Sequence, residues 1–121
     1  MATTQITSAQ FEQTVSGNDL VFVDFWATWC GPCRAFGPIY EAASERPENQ
    51  DVFFAKVDID QNQDLAAAAG IQAVPTLMIV KQGQVVFQQA GALQAADLDD
   101  LIDQARRLDL ASAAGQAPTA K

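Results

Sequence analysis

Two cysteines separated by two residues, Cys30 and Cys33, are the side chains whose spacing most directly predicts chemistry in this chain. At the start of a helix, this spacing places the two Cα atoms about 5–6 Å apart, which is within disulfide range. Cys30 would face unsatisfied backbone N–H groups and the positive end of the helix dipole, and both favour its thiolate. Cys33, one turn inside, is expected to be more buried and to remain a thiol longer. The pair predicts a two-step exchange, in which Cys30 attacks a substrate disulfide and Cys33 resolves the mixed disulfide.

Three other interpretations of the cysteine pair are less favourable. A structural disulfide would be unusual in a reducing compartment, and so small a ring gains little from loop closure. A zinc site needs four ligands, but the chain has no third cysteine and no histidine, so no metal is expected. Two unreactive core cysteines would be more typical of scattered positions than of a Gly-Pro spacer at a strand-to-helix turn. A redox dithiol is therefore the favoured interpretation.

Asp24 is the one acidic residue of an otherwise apolar run, residues 20–26, that has the composition of a buried strand. A buried carboxylate is costly unless it has a role. Strand alternation and the short following loop would place Asp24 beneath the dithiol, where it could take the proton of Cys33 through a water. The alternative is a solvated strand residue, which its apolar neighbours disfavour. Lys56 could be its charge partner, although an isolated lysine more commonly extends to solvent.

Strands and helices alternate along the chain and are expected to position these side chains. Strands are predicted over residues 20–26, 52–57, 76–80 and 84–88, and helices over residues 7–17, 34–46, 61–69 and 98–108. Gln82-Gly83 between the last two strands predicts an antiparallel hairpin. This pattern predicts an α/β fold with a central mixed β-sheet and helices on both faces. Residues 1–110 would form one domain, and residues 111–121, which carry no apolar stripe, a flexible C-terminal tail.

The composition constrains the partners and the compartment. The chain has 15 acidic and 7 basic residues and a net charge of −8, so it offers no basic patch for nucleic acid or for an anionic membrane surface. Its N-terminal residues have neither the basic nor the apolar region of a signal peptide, and its most apolar run, residues 73–80, is too short to span a bilayer. A cytoplasmic location is therefore expected, and an exported origin is the alternative that the sequence leaves open.

Residues 25–34 resemble the active-site signature of the thioredoxin family, which is W-C-G-P-C followed by Lys or Arg. The resemblance extends over roughly residues 5–108 and includes Asp24, Pro38, Lys56, residues 57–60, residues 74–76, Gly83 and residues 90–93. It implies a thioredoxin fold and general reduction of protein disulfides, with no bound cofactor beyond a redox-active Cys30–Cys33 disulfide. It further implies recharging by a thioredoxin reductase that draws on NADPH. A monomer is expected.

The resemblance also implies a substrate groove beside the dithiol, in which the Val74–Pro75 bond is cis. The residues expected to form the groove are Trp29, Gly31, Pro32, Ala73, Val74, Pro75, Gly91 and Ala92. The Gly-Pro spacer favours a reductant, because oxidising and isomerising relatives commonly carry histidine there. Ala73 stands where many family members have glycine, which would narrow the groove.

Two other functions remain open at the level of sequence. The chain could be the dedicated reductant of one partner, such as a peroxidase or a sulfoxide reductase. It could also be a binding module that does not use its thiols, because one fold can serve several functions. The presence of Cys30, Cys33 and Asp24 together argues against the binding module.

Overall fold

A five-stranded mixed β-sheet runs through the centre of the structure, a computed structural model that describes residues 3–110. Its strands are β1 (Thr3–Gln5), β2 (Leu20–Trp26), β3 (Phe53–Asp58), β4 (Thr76–Lys81) and β5 (Gln84–Ala90). They lie in the order β1-β3-β2-β4-β5, in which β3 is parallel to β1 and β2, and β4 is antiparallel to β2 and β5. The helices are α1 (Ser8–Gly17), α2 (Gly31–Glu45), α3 (Gln63–Ala68) and α4 (Ala95–Arg107), with a 3₁₀ turn at Pro47–Asn49. The predicted tail, residues 111–121, lies outside the described residues.

The sheet separates two apolar clusters, because successive side chains of a strand point to opposite faces. On one face, Phe22 of β2 packs in a cluster with Tyr40 of α2 and Leu98 of α4. On the other face, Val23 of β2 lies in a cluster with Val15 of α1. Helices therefore cover both faces of a mixed sheet, which confirms the predicted α/β architecture.

Two local signals in the sequence are confirmed by backbone geometry. The backbone N–H of Thr7 donates to the side-chain carbonyl of Gln10 at 3.0 Å, which completes the start of α1. Gln82 and Gly83 connect β4 and β5 with φ values of 51° and 79°. Positive φ at both central residues is typical of a type I′ turn, one of the favoured two-residue hairpin turns.

β1 and the start of α2 differ from the sequence prediction, and α4 begins at Ala95 rather than at Leu98. β1 is not predicted, because Thr3–Gln5 is a short polar segment without alternation; its position comes from parallel pairing with β3. A helix is predicted over residues 34–46, but α2 begins at Gly31 because Cys30 is its N-cap residue. Pro32 fits the first turn, where its missing N–H would have had no partner. This start places both cysteines at the N-terminal end of α2, as their spacing predicts.

Lys81 is a buried lysine that the sequence does not single out. Its ammonium group donates to the backbone carbonyls of Ala105, Arg106 and Leu108 at 2.7, 3.0 and 2.6 Å. The last carbonyls of a helix lack intrahelical partners and carry its negative dipole end. Lys81 therefore satisfies the C-terminal end of α4 and ties this helix to the sheet.

Replacing Lys81 by methionine should lower the free energy of unfolding by about 2–3 kcal/mol, because buried carbonyls would lose a charged donor. Urea denaturation of the oxidised protein measures this change. Arg107→Met is the matched control, since Arg107 forms an exposed ion pair with Asp103 and such pairs contribute about 0–1 kcal/mol. Equal, small losses in the two variants would contradict the role assigned to Lys81.

Candidate active site

Cys30 and Cys33 lie where the loop after β2 meets α2, and they form a disulfide with Cα atoms 5.3 Å apart. This separation is in the predicted range. The backbone N–H of Cys33 points at the Cys30 sulfur, with an N–Sγ distance of 3.1 Å. The N-terminal end of α2 therefore directs a backbone donor and its positive dipole at Cys30. After reduction, both would stabilise a thiolate on Cys30.

The predicted difference in burial between the two cysteines is wrong for this disulfide state. Cys30 is 4% exposed and Cys33 is 7% exposed, so neither is freely accessible. Cys30 is covered because the loop before β4 lies against it, with the Val74 carbonyl oxygen 3.5 Å from the Cys30 sulfur. Cys33 instead borders a small cavity. The two cysteines differ in what surrounds them and in their position on the helix, but not in exposure.

Asp24 is buried in β2, as predicted, with an exposed fraction of 1%. Its Oδ1 atom has no hydrogen-bond partner among residues 3–110. Burial raises the pKa of Asp24 from 3.8 to about 7, although the positive charge of Lys56 acts in the opposite direction. Phe22, two residues earlier in β2, faces α2, so strand alternation directs Asp24 toward the same helix. The structure thus places a carboxyl group that titrates near neutral pH under the helix that carries the dithiol.

Lys56 occupies the position in β3 that is directly paired with Asp24 in β2. Its ammonium group lies over the ring of Trp26, 5.1 Å from the centroid. A cation in this position is attracted by the electron-rich face of the ring. Lys56 is therefore held near Asp24, and its electrostatic effect on the carboxyl pKa supports the predicted charge partnership.

The loop before β4 approaches the dithiol, and its Val74–Pro75 peptide bond is cis, as the family resemblance implies. The backbone N–H of Gly91 donates to the Pro75 carbonyl at 2.8 Å, which joins this loop to the end of β5. Gly91 has a φ of 114°, a conformation that side-chain-bearing residues rarely adopt. Six predicted groove residues are exposed, namely Trp29, Gly31, Pro32, Ala73, Gly91 and Ala92, whereas Val74 is half-buried and Pro75 is buried. Their part in substrate binding remains a prediction.

Trp29 is 64% exposed beside Cys30, yet its indole N–H donates to Asp60 Oδ2 at 2.9 Å. The sequence does not assign a role to Asp60. Ile59, which packs against the cysteine cluster, is also missed as a site residue. The sequence offers one signal for Ile59 and Asp60, which is that residues 57–60 resemble the thioredoxin family.

Reduction of the disulfide should increase the tryptophan fluorescence, because a neighbouring disulfide quenches indole emission. Trp26 packs against the cluster of Ala27, Cys30 and Cys33, whereas Trp29 projects into solvent. We therefore expect Trp26→Phe to remove more of the redox-dependent change than Trp29→Phe does. Emission spectra of the oxidised and reduced forms of each variant test this expectation. Identical spectra for oxidised and reduced wild type would contradict the packing of Trp26 on the dithiol.

Comparison with known proteins relates this site to proteins of known class. The family profile described as Thioredoxin matches residues 2–104. A putative thioredoxin 2 of Streptomyces coelicolor is 51% identical over 109 residues, which cover 90% of this chain and 80% of the relative. The thioredoxin of Porphyra purpurea is 42% identical over 104 residues, which cover 85% and 96% of the two chains. The solved structure of Malassezia sympodialis thioredoxin matches with a TM-score of 0.78 and 39% identity, covering 85% of this chain and 90% of that one.

The fold, the cysteine pair and these relatives define the class of protein, which is a protein-disulfide oxidoreductase whose redox-active group is the Cys30–Cys33 disulfide. The fold is the thioredoxin fold. The chain belongs to the thioredoxin family. Within residues 3–110, no helix has both the length and the apolar character needed to cross a membrane. The same residues contain no group of three or more Cys, Asp and Glu side chains that could hold a metal ion.

Proposed function

We propose that this protein is a general protein-disulfide reductase that a thioredoxin reductase recharges with electrons from NADPH. The observation that carries this proposal is the environment of the Cys30 sulfur, which faces the Cys33 backbone N–H at 3.1 Å and adjoins the predicted groove. A thiolate stabilised in this way is suited to attack disulfides of other proteins. The Gly31-Pro32 spacer supports the reducing direction, because oxidising relatives commonly carry histidine in it.

In the proposed cycle, the Cys30 thiolate attacks one sulfur of the substrate disulfide and expels the other substrate sulfur as a thiolate, which takes up a proton. The Cys33 thiol then loses its proton and attacks the Cys30 sulfur. This second attack expels the remaining substrate thiolate and forms the Cys30–Cys33 disulfide. Two electrons move from the protein to the substrate in each cycle, and the reductase returns them.

Asp24 is the proposed acceptor of the Cys33 proton, through an intervening water. An acid or base works best when its pKa lies near the working pH. The burial of Asp24 brings its pKa to about 7, so this carboxyl group can take up a proton at neutral pH and release it again. Lys56 is proposed to act through Asp24, because its charge opposes the effect of burial on this pKa.

The predicted groove is proposed to bind an extended substrate segment mainly through backbone contacts. The backbone N–H of Val74 makes no hydrogen bond to another residue in the described part of the chain. An extended segment could pair with Val74 in the manner of an added β-strand, which requires no particular side chain. Such recognition suits a reductant of many different proteins.

The proposal also concerns the setting in which the protein works. An NADPH-linked supply of electrons keeps a dithiol reduced in a reducing compartment, so we propose a cytoplasmic location. No bound cofactor is needed, since the cysteine pair itself carries the electrons. A net charge of −8 disfavours self-association, which supports a monomer.

NADPH oxidation, followed with several candidate reductases and a panel of unrelated disulfide-bonded proteins, tests the proposed function. We expect rapid oxidation with at least one reductase and with most substrates. Activity should be lost in the Cys30→Ser/Cys33→Ser double variant, which serves as the control. Turnover with one substrate alone would indicate a dedicated reductant instead. NADPH oxidation by none of the reductases would contradict the proposed electron source.

A further inference from the structure

Among residues 3–110, Arg34 and Lys56 are the two cations that neither form an ion pair nor lie buried against backbone carbonyls. Residues 3–110 contain six Lys and Arg side chains. Three of them form ion pairs with carboxylates, namely Arg46, Arg106 and Arg107, and Lys81 is bound by backbone carbonyls. Arg34 and Lys56 form no ion pair within 4 Å to any carboxylate of the described residues.

These two cations line the same cavity, which has a volume of about 190 Å³ and lies beside Cys33. Its other lining residues are Trp26, Ala27, Thr28 and Gly37. Arg34 is fixed at the cavity by a hydrogen bond from Nη1 to the Thr28 carbonyl at 2.7 Å, the only hydrogen bond of its guanidinium group within residues 3–110. Arg34 belongs to α2, whereas Lys56 belongs to β3, where its ammonium group lies over the Trp26 ring.

We propose that this cavity is a binding site for a small tetrahedral oxyanion of the phosphate or sulfate class, held between Arg34 and Lys56. Guanidinium groups bind oxyanions through paired N–H donors, and an ammonium group adds a compact positive charge. A cavity of about 190 Å³ has room for roughly six waters at about 30 Å³ each, which exceeds the space such an anion needs. The overall charge of −8 repels anions, so binding depends on these two side chains.

Two acidic residues close to Lys56 in the sheet, Asp24 and Asp58, limit the affinity of the site. Asp24 lies beside Lys56 in the sheet but is buried and is not a lining residue of the cavity. Asp58, two residues after Lys56 in β3, accepts a hydrogen bond from the Asp60 backbone N–H at 2.9 Å. Their charges oppose those of the two cations, so we expect a millimolar dissociation constant. Binding does not depend on the proposed reductase cycle, because the cavity is present in the oxidised protein.

Titration of the full oxidised chain with sodium sulfate and with sodium phosphate, followed by ¹H–¹⁵N NMR at constant ionic strength, tests the site. Both anions should cause saturable shifts of the Ala27, Thr28 and Gly37 amides and of the Trp26 indole N–H. Chloride should cause no saturable shift. Acetate, a planar singly charged ion, should bind more weakly than sulfate.

Arg34→Gln and Lys56→Gln should each weaken sulfate binding by roughly tenfold, because each removes a charged donor. Arg107→Gln, which removes an exposed cation that does not line the cavity, should leave the affinity unchanged. Arg34 is itself exposed, so its variant is expected to keep the fold and to provide a result independent of Lys56. The proposal is overturned if no shift saturates, if acetate binds as tightly as sulfate, or if the Arg107 variant weakens binding as much as the Arg34 variant.

Discussion

Cys30→Ser is expected to reduce protein-disulfide reduction to the uncatalysed background, whereas Cys33→Ser should keep the first attack and accumulate a mixed disulfide. The reason is that the N-terminal end of α2 stabilises a negative charge on the Cys30 sulfur. Cys30 faces the Cys33 backbone N–H and the positive end of α2, so its thiolate is the one that forms readily. A serine hydroxyl at position 30 remains protonated at neutral pH and cannot replace that nucleophile.

Non-reducing electrophoresis and mass spectrometry of each reduced variant, mixed with a disulfide-bonded protein, measure this difference. We expect a covalent complex with Cys33→Ser and none with Cys30→Ser. Alkylation of the reduced wild type with limiting reagent provides a control free of substitutions, and Cys30 should be labelled first. Faster labelling of Cys33, or a stable complex with Cys30→Ser, would reverse the two roles.

Asp24→Asn should stabilise the oxidised protein relative to wild type at pH 8 and much less at pH 4. The pKa of Asp24 is raised from 3.8 to about 7 in the folded protein, so the folded state favours the neutral carboxyl group. Stability that this group provides below its unfolded pKa is lost as the pH rises through the folded pKa. The shift corresponds to a loss on the order of 4 kcal/mol across this interval. Asparagine does not ionise and avoids that loss.

Urea denaturation of both proteins at pH 4 and pH 8 tests this expectation, since the comparison at pH 4 corrects for the change of side chain. The unfolding free energy of Asp24→Asn should increasingly exceed that of wild type as the pH increases. Disulfide reduction by the variant should be slower at neutral pH if Asp24 accepts the Cys33 proton. A gap that is the same at both pH values would contradict the buried, neutral state of the carboxyl group. A faster or equal rate would exclude the proposed proton transfer.

The parts of the site that sequence reasoning predicts are those encoded over short distances along the chain. The Cys30–Cys33 spacing specifies a helix turn directly. The burial of Asp24 follows from its position within one apolar strand. The hairpin at Gln82-Gly83 is also a local signal, because two residues determine its turn. For these features, neighbouring residues alone carry the necessary information.

The features that sequence reasoning misses depend on contacts between distant elements. Lys81 is buried because it reaches carbonyls 24 to 27 residues further along the chain. The Trp29 indole donates a hydrogen bond to Asp60, which lies 31 residues away in the sequence. The residues that flank either one in the sequence do not predict this bond. The nearly equal burial of the two cysteines has the same origin, since Val74 covers Cys30 from a separate loop. Such placements depend on the assembled sheet and helices.

The hydrogen bond between Trp29 and Asp60 bears on where conformational entropy is lost when a substrate binds. Immobilising a free side chain on binding costs about 0.5–1.5 kcal/mol, but an indole already tethered in the unbound protein avoids most of that cost. If the protein binds substrates as proposed, most of the conformational entropy lost on binding is then lost by the substrate segment and not by Trp29. If the proposed function holds, we therefore expect faster reduction of disulfides in segments that can detach and extend than of disulfides locked inside a rigid core.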